Sequence, residues 1–219
     1  MHLRTLLKLF YSFCLMMFYE RLLDMKILYR NEEAFYFRHH GDPQRATESY
    51  RKALRLNPDN FYAHAGLAYL FAGQREFHRA LEHADLAFRS KSGNVVRRPR
   101  ISPNFIRLVI YQMLERSDEA KTVLDLLLVS LGGDLALVYN RLAYLYHDLG
   151  ICDKAAQYCK EVIALRPGEP GLYENLARVY VADGRPEKAR ESLVKAREFA
   201  KSARQRRVID RRILKIATG

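Results

Sequence analysis

The chain has 219 residues, of which 49% are hydrophobic and 28% charged, and its formal net charge is +12. This balance is typical of a folded, soluble protein, and the few glycines and prolines exclude a fibrous or disordered chain. The charge either solvates the surface or favours an acidic partner, which would be a protein, a nucleic acid or an anionic membrane.

The sequence of residues 1–26 predicts a hydrophobic, amphipathic helix. Its uninterrupted apolar run is about 11 residues, short of the roughly 18 needed to span a bilayer. The sequence Tyr19-Glu20-Arg21 offers no small-residue cleavage site for a signal peptidase. Three interpretations stay open. The helix caps or fills the helices that follow, it contacts a membrane or a membrane protein, or translation starts at a later methionine.

Five alanines then recur at steps of 34, 40, 35 and 34 residues: Ala46, Ala80, Ala120, Ala155 and Ala189. A period of this size indicates stacked helical repeats, which present binding surfaces more often than catalytic pockets. In the best-defined repeat, a first helix is broken by Gly150, and a second helix carries Ala155 and ends before Pro167.

The residues that accompany Ala155 and Ala189 resemble the tetratricopeptide repeat: Tyr139, Leu142, Ala143, Tyr146, Gly150, Tyr173, Leu176, Ala177, Tyr180 and Gly184. The resemblance implies an all-α fold, a right-handed α-solenoid of about five helix-turn-helix units over residues 27–201. We place the units at 27–60, 61–94, 101–135, 136–169 and 170–201, with a basic loop at 91–103. The third unit is degenerate.

Residues 202–219 predict a basic helix that caps the last unit. Repeat stacks need such a terminal helix with a polar outer face. A basic docking patch is the alternative role for this helix and for the loop, formed by Arg97, Arg98, Arg100, Arg204, Arg207, Arg211 and Arg212. Such a patch would contact an acidic protein surface, phosphate groups or anionic lipid.

The resemblance also implies a concave groove lined by the first helix of each unit. The candidate peptide-binding residues are Asn31, Phe35, Tyr69, Phe105, Asn140, Tyr144 and Arg178, with Glu174, Arg38, His39, His147 and Asp148 at neighbouring groove positions. Asparagine amides can bond a peptide backbone, and aromatic rings are good anchors.

No catalytic motif or metal-ligand spacing stands out in the sequence, so we expect no enzyme activity and no cofactor. Cys152 and Cys159 fall on packing positions, and we expect buried free thiols in a reducing, cytoplasmic setting, with peripheral membrane association as an option. The predicted function is a protein-interaction scaffold or adaptor. The alternatives are a helical-repeat nucleic-acid binder that uses the basic patch, and a membrane-associated assembly factor held by the N-terminal helix.

Overall fold

The computed structural model describes residues 3–90 and 102–218, and their side chains except those of residues 3–15, 39, 217 and 218. In these ranges there are eleven helices and no strand: α1 Leu3–His39, α2 Pro43–Leu56, α3 Phe61–Gly73, α4 Phe77–Arg89, α5 Pro103–Met113, α6 Ser117–Ser130, α7 Leu135–Asp148, α8 Cys152–Leu165, α9 Pro170–Ala182, α10 Pro186–Glu198 and α11 Ala203–Thr218. None of these helices is long and apolar enough to cross a membrane.

Unit 1, residues 1–106, holds the pairs α1–α2 and α3–α4. Its first helix is one continuous element of 37 residues, so the expected boundary between residues 26 and 27 falls inside it. The physical reason is that residues 3–39 contain no glycine or proline to break a helix. Side chains and prolines start the next helices: Asp42 accepts from the Arg45 amide at 3.0 Å, and Pro43 opens α2.

Unit 2, residues 107–219, holds the pairs α7–α8 and α9–α10 and the terminal helix α11. Gln112 joins two of its aromatic residues, because Tyr146 donates to Gln112 Oε1 at 2.8 Å and Gln112 Nε2 donates to Tyr158 at 2.6 Å. The Tyr146 and Tyr158 rings stack at 5.6 Å. Helix α11 packs on α10 and fully buries Ile209, consistent with a capping helix.

The same turn closes the four helix pairs named above and also joins α5 to α6, the third pair in chain order. One residue in each turn has a positive φ: Gly41, Arg75, Glu115, Gly150 and Gly184. The following amide donates at 2.8–2.9 Å to the carbonyl of the aromatic residue five positions earlier, which is Phe37, Phe71, Tyr111, Tyr146 or Tyr180. A bond of this kind, from the sixth residue of a segment to the first, defines the Schellman motif that ends a helix. The degenerate third pair therefore keeps the register of the others.

The five alanines of the ladder are all buried in this register. Each lies nine residues after the aromatic whose carbonyl closes the turn, as Ala46 follows Phe37 and Ala120 follows Tyr111. A methyl group lets two helices approach closely, which fixes the contact within each pair.

Candidate functional site

A hollow in unit 2, bounded by α7, α8 and α9, brings together several of the predicted groove residues. Its floor consists of small or apolar buried side chains, namely Ala143, Cys159 and Val179, and its walls are Asn140, Tyr144, His147, Asn175 and Arg178. The two first helices α7 and α9 supply all the wall residues. Their helical spacing puts side chains three and four positions apart on one face.

Tyr144 and Asn175 connect the two walls of the hollow. Tyr144 donates from its hydroxyl to Asn175 Oδ1 at 3.0 Å, and 42% of Tyr144 remains exposed. Asn140 lies one helical turn before Tyr144, and its half-buried amide has no hydrogen-bond partner among the described residues. The hollow thus presents an aromatic face beside an amide with bonding capacity for both a donor and an acceptor.

The floor of the hollow is uncharged, whereas its rim is cationic. Burial raises the pKa of the Cys159 thiol to about 11, although the Arg178 charge opposes that shift. Arg178 itself is exposed and makes no ion pair with any described residue. A guanidinium above an apolar floor is suited to an acidic side chain or a chain-terminal carboxylate.

In unit 1, the predicted groove residues form a separate aromatic cluster. The Arg38 guanidinium carbon lies over the Phe35 ring at 5.0 Å and over the Tyr69 ring at 4.7 Å. Both rings are half-buried, and each presents part of its surface to solvent. The cluster is an amphipathic surface held by cation–π contacts.

Asn31 differs from Asn140 because its amide nitrogen is already engaged, while its Oδ1 is buried and has no hydrogen-bond partner among the described residues. It donates to Asn60 Oδ1 at 3.3 Å, and Asn60 in turn caps α3 by accepting from the Ala63 amide at 2.8 Å. This arrangement gives Asn31 a structural contact between α1 and the start of α3.

Two expected groove positions are occupied differently. Phe105 is only 4% exposed and lies among the buried residues of α5, which include Ile106, Leu108 and Val109. Its ring therefore does not offer an open groove contact. Glu174, at the equivalent position of α9, pairs with Arg212 of α11, and the neighbouring Asn175 enters the hollow instead. Sequence register alone gave no signal for Asn175.

The predicted basic docking patch is described only in part, since Arg97, Arg98 and Arg100 lie outside the described residues. The four arginines of the predicted patch that lie on α11 are all exposed: Arg204, Arg207, Arg211 and Arg212. Of these, Arg212 pairs with Glu174. The side chain of His39 is also outside the described set.

A buried histidine contact in unit 1 was not anticipated. His64 stands where the repeat pattern has a large aromatic, and its Nδ1 lies 2.9 Å from Nδ1 of His83. Its Nε2 lies 2.9 Å from the Pro58 carbonyl. The pKa of His83 is lowered to about 4, mainly by burial and to a smaller extent by the neighbouring His64. The contact therefore favours the neutral form of the His83 imidazole.

The helix pairs share one type of connecting turn, and the first helix of a pair keeps part of its surface in contact with solvent. These two features define a helical-repeat binding protein. Two models of the tetratricopeptide repeat match the chain, one over residues 32–95 and one over residues 152–209, and together they cover more than half of it. The chain belongs to the tetratricopeptide repeat family, and the predicted all-α fold of such helix pairs is confirmed. Proteins of this family are generally non-catalytic scaffolds for other proteins or peptides.

Individual relatives are similar only over part of their length or only in fold. Cellulose synthase operon protein C of Xanthomonas axonopodis pv. citri (strain 306) is 33% identical over 135 residues, which are 59% of this chain. The chain spans 9% of the length of that relative. A tetratricopeptide repeat protein from Parabacteroides merdae ATCC 43184 has a TM-score of 0.53 at 19% identity, covering 88% of this chain and 71% of its own. PilF of Pseudomonas aeruginosa has a TM-score of 0.49 at 19% identity, covering 89% and 86%.

Proposed function

We propose that the chain is a non-catalytic scaffold or adaptor that binds a segment of another protein in the hollow of unit 2. The observation that carries the proposal is the convergence there of an amide and a guanidinium, neither bonded to other described side chains, over an apolar floor. Few and well-placed polar groups above an apolar surface are the usual composition of a binding site.

Each wall residue has a separate role in this proposal. Asn140 bonds the backbone of the bound segment through its carbonyl and amide groups. Tyr144 provides a flat apolar contact with little loss of side-chain entropy, and Arg178 pairs with an acidic group. The bound segment is therefore amphipathic, with an acidic residue or a terminal carboxylate placed near Arg178.

The aromatic cluster of unit 1 provides a second contact surface in the same mode. Phe35 and Tyr69 offer ring surface, and Arg38 fixes their relative position through its two cation–π contacts. A ring that is already held in place loses less entropy on binding than a free one. Apolar residues of a partner would anchor there.

Selection of peptides on the immobilised chain tests the proposal for unit 2. Selected peptides should combine apolar residues with Asp, Glu or a free carboxylate, and titration calorimetry should show binding that Asn140→Ala/Arg178→Ala weakens by about tenfold or more. Arg190→Ala, an exposed change on α10, is the matched control and should leave affinity unchanged. Peptides that bind wild type and the double variant equally would contradict the proposal.

The same preparation separates the scaffold from a nucleic-acid binder. Binding to random RNA or DNA is titrated against salt, because phosphate contacts give a steep dependence of affinity on salt concentration. Micromolar or tighter binding with a steep salt slope would overturn the scaffold proposal in favour of the nucleic-acid alternative.

A further inference from the structure

A second apolar surface lies on α1 of unit 1, outside the first-helix residues discussed above. Four side chains follow one another at steps of four, three and four residues: Phe18, Leu22, Met25 and Tyr29. Phe18, Met25 and Tyr29 are 59%, 61% and 60% exposed. This spacing is the heptad pattern by which one helix packs against another in a coiled coil. We call these four residues the α1 seam.

The α1 seam forms one side of a groove, and α2 forms the other. Leu22, Met25 and Tyr29 line the groove together with Leu56, which ends α2. Because α1 continues toward its N-terminus beyond this point, the seam runs past the end of α2 to Phe18. The surface is therefore an elongated apolar strip that can accept a helix along its length.

Cations border this strip: Lys26 and Arg30 on α1, and Lys52 and Arg55 on α2. Two of them are partly neutralised, since Arg30 pairs with Glu33 at 2.9 Å and Lys52 pairs with Glu48 at 2.6 Å.

Lys26 and Arg55 keep the border positive. Both are exposed, and neither forms an ion pair with a described residue. On α1, Glu20 and Asp24 fall at heptad positions away from the seam, whereas Glu32 lies three residues after Tyr29, beyond the residues that line the groove. The groove therefore combines an apolar floor with an uncompensated positive edge.

We propose that this groove binds an acidic amphipathic helix of another protein. The partner would place its apolar heptad residues on the α1 seam and its glutamates or aspartates opposite Lys26 and Arg55. Charges beside a heptad seam select the partner by complementarity. A second copy of this chain fits less well, because it would bring the same cations to the same edge. The inference does not depend on the proposed function of the unit 2 hollow.

The test uses two synthetic helical peptides of three heptads, about 21 residues each, with leucine at the a and d positions. One carries glutamate and the other lysine at the e and g positions. Fluorescence anisotropy with the full chain should show saturable binding of the glutamate peptide only, weakening as salt is added.

Variants locate the site. Lys26→Glu/Arg55→Glu should weaken binding of the glutamate peptide by about tenfold or more, because two attractive contacts become repulsive. Met25→Ala, at an exposed position, should weaken it by a similar factor while leaving the circular dichroism spectrum unchanged. Lys154→Glu/Lys160→Glu, exposed on α8, makes the same change in net charge and should bind like wild type.

Several outcomes would overturn the proposal. Equal binding of both peptides, no binding of the glutamate peptide, or equal weakening by the α8 control would each do so. Sedimentation that shows a dimer lost in Met25→Ala would assign the groove to a second copy. If vesicles of phosphatidylglycerol bind through Met25 and the glutamate peptide does not, the surface would be a membrane contact instead.

Discussion

Replacement of Gly66 by alanine gives a quantitative test of how α3 packs on α2. A methyl group built on Gly66 would lie closer than 3.0 Å to three atoms of the Tyr50 side chain. Tyr50 is only 4% exposed, so its ring has little room to move away. The substitution therefore places an added carbon against a fixed ring.

Two effects of opposite sign compete in Gly66→Ala. Alanine is favoured over glycine inside a helix by about 1 kcal/mol. Overpacking of a well-packed core costs roughly 1–3 kcal/mol, and the closeness of three ring atoms favours the upper part of that range. We expect a net loss of about 1–2 kcal/mol in the free energy of unfolding. For a chain of this length that corresponds to a Tm lower by roughly 2–8 °C, measured by circular dichroism at the helix band.

A matched control and a second-site change separate packing from propensity. Gly171→Ala is also helical but has no atom within 4 Å of the new methyl, so it should be neutral or stabilising. Tyr50→Leu removes the ring atoms, and in that background Gly66→Ala should no longer destabilise the chain. If Gly66→Ala alone raised the Tm as much as Gly171→Ala does, the packing argument would be refuted.

Three further predictions concern pH, thiol chemistry and turns. The pKa of His83, about 4 when folded against 6.5 as its reference value, means that the unfolded state binds more protons between these values. The contribution of neutral His83 to the free energy of unfolding should be fully present above pH 6.5 and should be lost toward pH 4, a decrease of about 1–2 kcal/mol after allowance for solvent screening. In His83→Gln, the denaturation midpoint should change less with pH across that window. With a pKa of about 11, Cys159 is roughly one thousandth thiolate at pH 8, so iodoacetamide and mass spectrometry should find the less buried Cys152 modified before Cys159. Glu115→Gly should raise the free energy of unfolding by about 0.5–1 kcal/mol, because a φ of +56° strains a residue with a side chain, and Gly150→Ala should lower it.

Each of these has a clear contrary result. Parallel pH curves for wild type and His83→Gln would show that another group controls acid sensitivity. Faster alkylation of Cys159 than of Cys152 in the native chain would show that the hollow opens. A less stable Glu115→Gly would mean that contacts of the glutamate outweigh its backbone strain.

The sequence predicted the repeat register well because the register is local. Each alanine lies nine residues after an aromatic, and both residues belong to one helix pair, so neighbours along the chain determine the contact. The exposed side chains of Tyr144 and Arg178 follow from the same helical spacing.

Contacts between helix pairs were harder to predict. The pairing of Glu174 with Arg212 joins residues far apart in sequence, for which the repeat pattern has no rule, and the burial of Phe105 departs from the groove position that the pattern implies. The unbroken course of α1 was missed for another reason. The family pattern suggested a boundary before residue 27, whereas no local residue there disfavours a helix.

The shared turn has a consequence for how this chain tolerates changes in length. The interval from turn aromatic to alanine is nine residues in every pair, while the steps between successive alanines vary from 34 to 40. All the variation therefore lies outside the turns, between one alanine and the next turn aromatic, where added residues leave the contact within each pair unchanged. One residue inserted inside a turn would instead rotate the second helix by about 100° and turn its alanine away from its partner. Natural length variation and engineered insertions should accordingly be accepted at the junctions and rejected at the turns.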